Sequence, residues 1–291
     1  MRLATILLEG QPRPALLVKD ELVDLLSADP ALPSTVRGLL EAGAEGLAAA
    51  QRASTSSKAR RIPVAQGSFL APIPDPRKIV CLGLNYSDHA METGAAIPKT
   101  PVLFSKYATS LTGHNCPIEL PAVSDEVDFE AELVIVVGKK GRHVPAAKAH
   151  EYVAGYMVGH DVSARDWQLR RDGKQWMVGK TFDTFAPTGP FLVTADEVAN
   201  VRNLGIRLRL NGELMQNGNT SKMIFGVEEI IPYLSTVFTL EPGDLIFTGT
   251  PPGVGVARTP PVYLKAGDVA EVEIEGLGTL RNPVVAEKKV S

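Results

Sequence analysis

The chain predicts a mainly β protein with some α-helix, an α+β fold whose catalytic part is a β-rich roll. Three observations carry that expectation. From residue 100 onward, strand-like segments outnumber helical ones. The run Leu133-Val134-Ile135-Val136-Val137 is continuously apolar and mostly β-branched, as expected of a strand buried on both faces. No βαβ rhythm and no GxGxxG fingerprint occurs, which argues against a Rossmann architecture.

The elements follow in order. Residues 3–8 and 15–18 read as two short strands joined by the turn-rich Glu9-Gly10-Gln11-Pro12-Arg13-Pro14. Residues 34–50 read as one or two short helices with Leu39, Leu40 and Leu47 on their apolar side. The polar stretch 51–61 lacks large apolar residues and reads as a linker. The chain therefore divides into a small N-terminal α+β domain with its linker (1–70) and a catalytic domain (71–291).

The second part opens on an extended Pro-rich entry at 72–77 and a strand at 78–83. Residues 85–94 have helical character and stop at Gly94. Strands follow at 101–106, through 133–137 and at 156–161, with a short helix at 146–153 between the last two. Residues 174–190, rich in Gly and Pro, read as an active-site loop. A hairpin is expected at 205–217 around Asn211-Gly212. A helix carries Val227, Ile230, Ile231 and Leu234, kinked or delayed by Pro232. Strands at 244–247, 262–264, 269–275 and 279–286 complete the chain.

Composition narrows the function. With 44% hydrophobic and 22% charged residues, the 291-residue chain is an ordinary globular protein with a sizeable core. A net charge of −3 and the lack of a basic tract give no reason to expect nucleic acid or a membrane surface as partner. The two cysteines, Cys81 and Cys116, form no CxxC, which argues against a disulfide framework or a structural zinc site. The apolar run at residues 3–8 is too short for a signal peptide, and the segment lacks transit-peptide character, so a cytoplasmic location is expected.

Three patterns carry chemistry. In Val127-Asp128-Phe129-Glu130-Ala131-Glu132-Leu133, Glu130 and Glu132 are two apart and point to one face of a strand. At the mouth of a buried strand such neighbouring charges call for a cation; at a strand end facing water they are ordinary. His89 and Glu92, three apart on a helical turn, make a candidate general base with its orienting partner. The third pattern begins at Asp161, which ends a strand and is followed by Arg165 and Gln168 at positions that could line one helical face. Separately, the strand at 101–106 delivers Lys106, which suits either a substrate contact or a structural ion pair.

Taken in order, Gly83-Leu84-Asn85-Tyr86 with His89 and Glu92, Phe129-Glu130-Ala131-Glu132, Gly155-Tyr156 leading to Asp161-Val162-Ser163-Ala164-Arg165-Asp166, Gly179-Lys180, Pro242-Gly243-Asp244 and Thr248-Gly249-Thr250-Pro251 resemble the fumarylacetoacetate hydrolase superfamily over residues 72–285. The run from His160 to Arg171, with Gly173-Lys174-Gln175-Trp176 and the segment 179–185, resembles its second animal subgroup. Members of these subgroups include oxaloacetate tautomerases, acylpyruvases and oxaloacetate decarboxylases. The resemblance implies a mixed β-roll, usually dimeric, with Mg²⁺ or Mn²⁺ held by Glu130, Glu132 and Asp161. It implies no organic cofactor. It also places Arg165, Gln168, Thr250 and Lys180 around the substrate, with Lys180 counted among the catalytic residues beside His89 and Glu92; Lys106 is a further candidate contact from its own position. One departure argues against fumarylacetoacetate itself: the founding hydrolase draws an acidic ligand from the segment matching Leu84-Asn85-Tyr86, where this chain has none.

The resulting expectation is a divalent-metal enzyme that stabilises the enolate of a 2-oxo acid. With water activated by His89 and Glu92 it hydrolyses a carbon–carbon bond in an acylpyruvate or related 2,4-dioxo acid. With that pair moving only a proton, enol-oxaloacetate becomes the keto form; with neither, oxaloacetate loses CO₂. In related proteins the His–Glu segment is a mobile lid, for which Gly94 and the run to Pro98 supply a hinge. A non-catalytic 2-oxo-acid-binding protein is the remaining alternative, disfavoured because binding alone needs no acid–base pair.

Overall fold

The computed structural model describes residues 1–288 and is α+β, mostly sheet with some helix. Its centre is a mixed eleven-stranded sheet. From one edge the order is Arg61–Pro63, Glu21–Asp24, Gln11–Val18, Arg2–Leu8, Ala186–Thr194, Val153–His160, Ala131–Val137, Leu245–Phe247, Ile79–Gly83 and Val102–Ser105, with Leu111–Thr112 joining off this path. A second, five-stranded sheet runs Glu213–Asn219, Gly205–Leu210, Val269–Ile274, Gly278–Ala286, Ile118–Leu120.

Ala131–Val137 is buried along its whole length because both faces are covered. Leu133, Ile135 and Val137 join a core with Ile206, Leu208 and Val272 of the second sheet and with Ile230 and Leu234 of helix Val227–Val237. Val134 and Val136 face the other way, into a core with Leu39, Leu40 and Ala50 of helices Val36–Glu41 and Gly43–Ser54. An unbroken apolar run is what such two-sided burial demands.

Residues 1–70 share the large sheet with the rest of the chain, since Arg2 and Leu3 pair with Val193 and Leu192. The boundary expected at residue 70 is a boundary of composition and leaves no gap in the ladder.

Several local expectations are corrected. Gln51 to Ser54, expected in the linker, extend the helix Gly43–Ser54; alanine-rich sequence is strongly helical even without large apolar residues. Residues 174–190 hold helix Trp176–Lys180 and the start of the fully buried strand Ala186–Thr194. Pro187 and Pro190 disguise that strand, a central one paired on both sides. Residues 262–264 form no strand: Leu264 donates a single bond to the Val127 carbonyl (2.8 Å) and no ladder follows. Pro232 lies inside a helix that has already begun at Val227. The hairpin is as expected, with Asn211 and Gly212 at φ 53° and 83°, the positive pair a type I′ turn needs.

Candidate active site

The site lies where strand ends from several parts of the chain meet. Glu130 immediately precedes strand Ala131–Val137 and Glu132 lies within it, while Asp161 follows the neighbouring strand Val153–His160. Ala131 pairs with His160 and the Asp161 N–H donates to the Glu130 carbonyl (2.9 Å), so the register itself sets Asp161 beside the two glutamates. Each carboxylate offers an oxygen within 4.8 Å of the others, and all three residues are buried.

The electrostatics are uneven. Lys180 Nζ lies 2.9 Å from Glu130 and 2.7 Å from Asp161, and Arg165 reaches Glu130 at 2.7 Å. Burial pushes the Glu130 carboxyl up, but Lys180 and Arg165 outweigh it and hold the group down at about 2. Among the described residues, Glu132 accepts only from the Gly249 N–H (2.7 Å). Burial, then the charges of Asp161 and Glu130, push its carboxyl well above the usual range. Three converging carboxylates with one left uncompensated fit a hard divalent cation, and the all-oxygen donor set suits magnesium or manganese better than zinc.

A cavity of about 310 Å³ opens onto this cluster, with Glu130, Glu132, Arg165, Gln168, Lys180, Thr250 and His89 all in its lining. His89 Nδ1 is 2.9 Å from Glu92 Oε2 on helix Ser87–Glu92. The other oxygen of Glu92 accepts from the Gly253 N–H at 2.8 Å, tying this helix to the loop after strand Leu245–Phe247. Arg165 and Gln168 touch (2.8 Å) on one helical turn, but Asp161, expected on the same face, is not part of it. Asp161 follows a strand, Ser163–Ala164 is a short strand, and the helical turn begins at Arg165 and continues as the π turn Asp166–Arg170.

Lys106 is corrected. Its side chain is 0% exposed and its ammonium lies beneath the cluster, outside the cavity lining. It is committed to Asp161 (2.7 Å) and to the carbonyls of Phe185 (2.7 Å), Val162 (3.2 Å) and Lys180. With those acceptors it is a structural clamp, and no donor remains for a substrate. Asn85, in the segment that departs from the family pattern, is likewise structural: its amide donates to the carbonyls of Thr248 (2.8 Å) and Phe225 (3.0 Å).

Two functional residues escape sequence reasoning. Asp128 is fully buried; it accepts from Arg165 Nε (2.8 Å) and from the Gly255 and Val256 N–H groups (2.7 and 3.0 Å), so it aims the guanidinium. Its place in the acidic alternation was the only available signal. Trp176 walls the cavity from one turn before Lys180 and packs edge-on against Phe104, with ring centroids 5.9 Å apart. A Cβ on Gly83 would meet the Trp176 ring at 2.0 Å, so this wall requires glycine there.

Comparison with known proteins places this geometry. Residues 78–285 match the model of the fumarylacetoacetate (FAA) hydrolase C-terminal family. The chain is 50% identical over 276 residues to oxaloacetate tautomerase fahd2, mitochondrial, of Xenopus laevis, covering 94% of this chain and 86% of that one. It is 51% identical over 263 residues to human oxaloacetate tautomerase FAHD2A, mitochondrial, covering 90% and 83%. Among solved structures it is similar to maleylpyruvate hydrolase from Sphingobium sp. SYK-6 in complex with manganese (II) ion and pyruvate, at 34% identity and a TM-score of 0.80 over 99% of this chain and 100% of that chain. Fumarylacetoacetate hydrolase from Exiguobacterium antarcticum matches at 36% identity and a TM-score of 0.85, with the same coverage. The mitochondrial names overturn the cytoplasmic expectation. Residues 2–8, from which it was drawn, are a strand of the central sheet.

Proposed function

The chain belongs to the fumarylacetoacetate hydrolase family, and from that membership we propose that this enzyme is a divalent-cation-dependent oxaloacetate tautomerase, converting the enol to the keto form. The observation that carries the reading is that His89, paired with Glu92 (2.9 Å), lines the same cavity as Glu130 and Glu132 of the carboxylate cluster. Binding alone would need no such pair.

Glu130, Glu132 and Asp161 would hold Mg²⁺ or Mn²⁺, which supplies Lewis-acid stabilisation of negative charge on the C2 oxygen. The protein's own groups do the rest. Glu92 accepts from Nδ1–H of His89, leaving Nε2 as the base. Nε2 takes the proton from the enol oxygen and returns it to C3, so the reaction is balanced and consumes no water. Arg165, Gln168 and Thr250 line the space where carboxylate and carbonyl oxygens must lie. Lys180, between Glu130 and Asp161, keeps the carboxylates compensated and faces the same cavity. The homodimer implied by the family resemblance is part of this proposal, and sedimentation should return twice the chain mass.

The test follows enol-oxaloacetate ketonisation spectrophotometrically with and without Mg²⁺ or Mn²⁺. The wild-type protein should accelerate it only with the cation, and His89→Ala should lose about 10²- to 10⁴-fold, the usual contribution of a general base. No acceleration with either cation sinks the reading.

A second reading, hydrolysis of a 2,4-dioxo acid, is favoured by one observation. Besides the polar cluster, the cavity is lined by Leu84, Ala95, Phe104, Leu169, Trp176 and Val254. A small diacid has no use for so much apolar lining, whereas an acyl tail would bury against it. If the wall serves such a tail, Trp176→Ala should raise KM for hexanoylpyruvate about tenfold or more and leave that for acetylpyruvate nearly unchanged, since each buried CH₂ contributes about 0.8 kcal/mol. Equal effects on both would assign Trp176 to packing.

A further inference from the structure

One buried side chain bridges the carboxylate-bearing strand and the loop of Thr250. Gln216 is 1% exposed. Its Oε1 accepts from the N–H of Ala131 (2.8 Å), the residue between Glu130 and Glu132. Its Nε2 donates to Thr250 Oγ1 and to the Pro251 carbonyl, both at 2.8 Å. A β-bulge puts it there. In the hairpin Leu208 pairs with Gln216 but Arg209 pairs with Leu214, so Met215 is the extra residue and both Met215 and Gln216 are buried.

These partners fix the orientation of the amide. A backbone N–H can only donate and a carbonyl oxygen can only accept, so Oε1 must face Ala131 and the NH₂ must face the loop. Thr250 Oγ1 therefore receives a proton from Gln216. A hydroxyl has one proton of its own, and among the described residues no acceptor takes that of Thr250, which is 4% exposed and lines the cavity. We infer that Gln216 is a positioning residue that sets the polarity of Thr250, making its hydroxyl a donor to an oxygen of the bound ligand. The chain of donation runs from the Ala131 N–H through the Gln216 amide to Thr250 and then to the ligand. This inference rests on the proposed 2-oxo-acid site for the identity of that ligand.

Gln216→Glu keeps the shape and reverses the polarity, because an ionised carboxylate accepts from Thr250 and turns the hydroxyl lone pairs toward the ligand. The probe is pyruvate, titrated calorimetrically into the Mg²⁺-loaded full-length protein. Gln216→Glu should weaken pyruvate about 10- to 100-fold, the range expected when a hydrogen bond to a charged group is lost. Thr250→Val should weaken it similarly, and Thr250→Ser, which keeps the hydroxyl, should stay within about threefold. In the Thr250→Val background, Gln216→Glu should cost little more, because the hydroxyl it acts through is gone. If Gln216→Glu does not fold, Gln216→Met takes its place, with about a three- to tenfold loss that again disappears with Thr250→Val. An equal fold-loss in both backgrounds assigns Gln216 to packing and overturns the inference. If Mg²⁺-loaded wild-type protein binds no pyruvate, the 2-oxo-acid site fails before any variant is compared, and the inferred ligand fails with it. Pyruvate binding with no oxaloacetate turnover would overturn only the tautomerase reading.

Discussion

Glu132→Gln is expected to abolish divalent-cation binding, and the tautomerase activity with it, while leaving the fold intact. Glu132 is buried beside two other carboxylates, and its one hydrogen bond among the described residues comes from the Gly249 N–H. Glu130 has Lys180 and Arg165 to compensate it, and Asp161 has Lys106 and Lys180. The charge of Glu132 is thus the one that most needs a cation, and the one the protein loses most safely. Glutamine keeps the shape and an acceptor for Gly249. Cation affinity should fall by at least about 100-fold, since even loss of a residue that only supports a ligand costs 10- to 100-fold. A cation at 100 times its Kd stabilises a protein by about 2.7 kcal/mol, or about 5–10 °C in Tm at this size. That increment should vanish in the variant, while the chelated protein melts at or slightly above the wild-type temperature. Unchanged Mg²⁺ affinity by calorimetry would remove Glu132 from the ligand set.

The largest loss of stability is expected from Lys106→Met. The ammonium is fully enclosed and joins Asp161 to the carbonyls of Val162, Lys180 and Phe185, which belong to three separate stretches around the site. Methionine fills the space but leaves those acceptors unpaired and one side of Asp161 uncompensated. Breaking a buried pair from one side costs about 3–5 kcal/mol, which here lowers Tm by about 6–20 °C. KM, measured where the variant is folded, should change far less than stability. An unchanged Tm with a raised KM would restore Lys106 to the substrate.

Local pattern carried much of the geometry of the candidate site. The E-x-E at Glu130 and Glu132 and the spacing of His89 and Glu92 each lie within one turn or one strand, and the side-chain period of a helix or strand places such neighbours without help from the rest of the fold. The Asn211-Gly212 turn was legible for the same reason: two adjacent residues suffice for it. Lys106 was not. A lysine at the end of a strand looks the same whether its ammonium reaches solvent, substrate or carbonyls 56, 74 and 79 positions away.

The strand Ala186–Thr194 was hidden behind Pro187, Gly189 and Pro190, residues that ordinarily interrupt strands, yet it is the central strand that receives Arg2–Leu8 on one side and Val153–His160 on the other. Its burial is imposed by its neighbours, which sequence reading could not see. By itself, then, the sequence determined the β-rich class, the covered strand at 133–137, the shared face of Glu130 and Glu132 and the contact of His89 with Glu92. Tertiary structure alone decided that Lys106 clamps the site from beneath, that Asp128 aims Arg165, that Trp176 closes a wall, and that Gln216 joins Ala131 to Thr250. The physical reason is one of range. Backbone periodicity fixes which way a residue points relative to its near neighbours, whereas the donor that finally meets an acceptor is chosen by strand register and bulges between segments far apart in the chain.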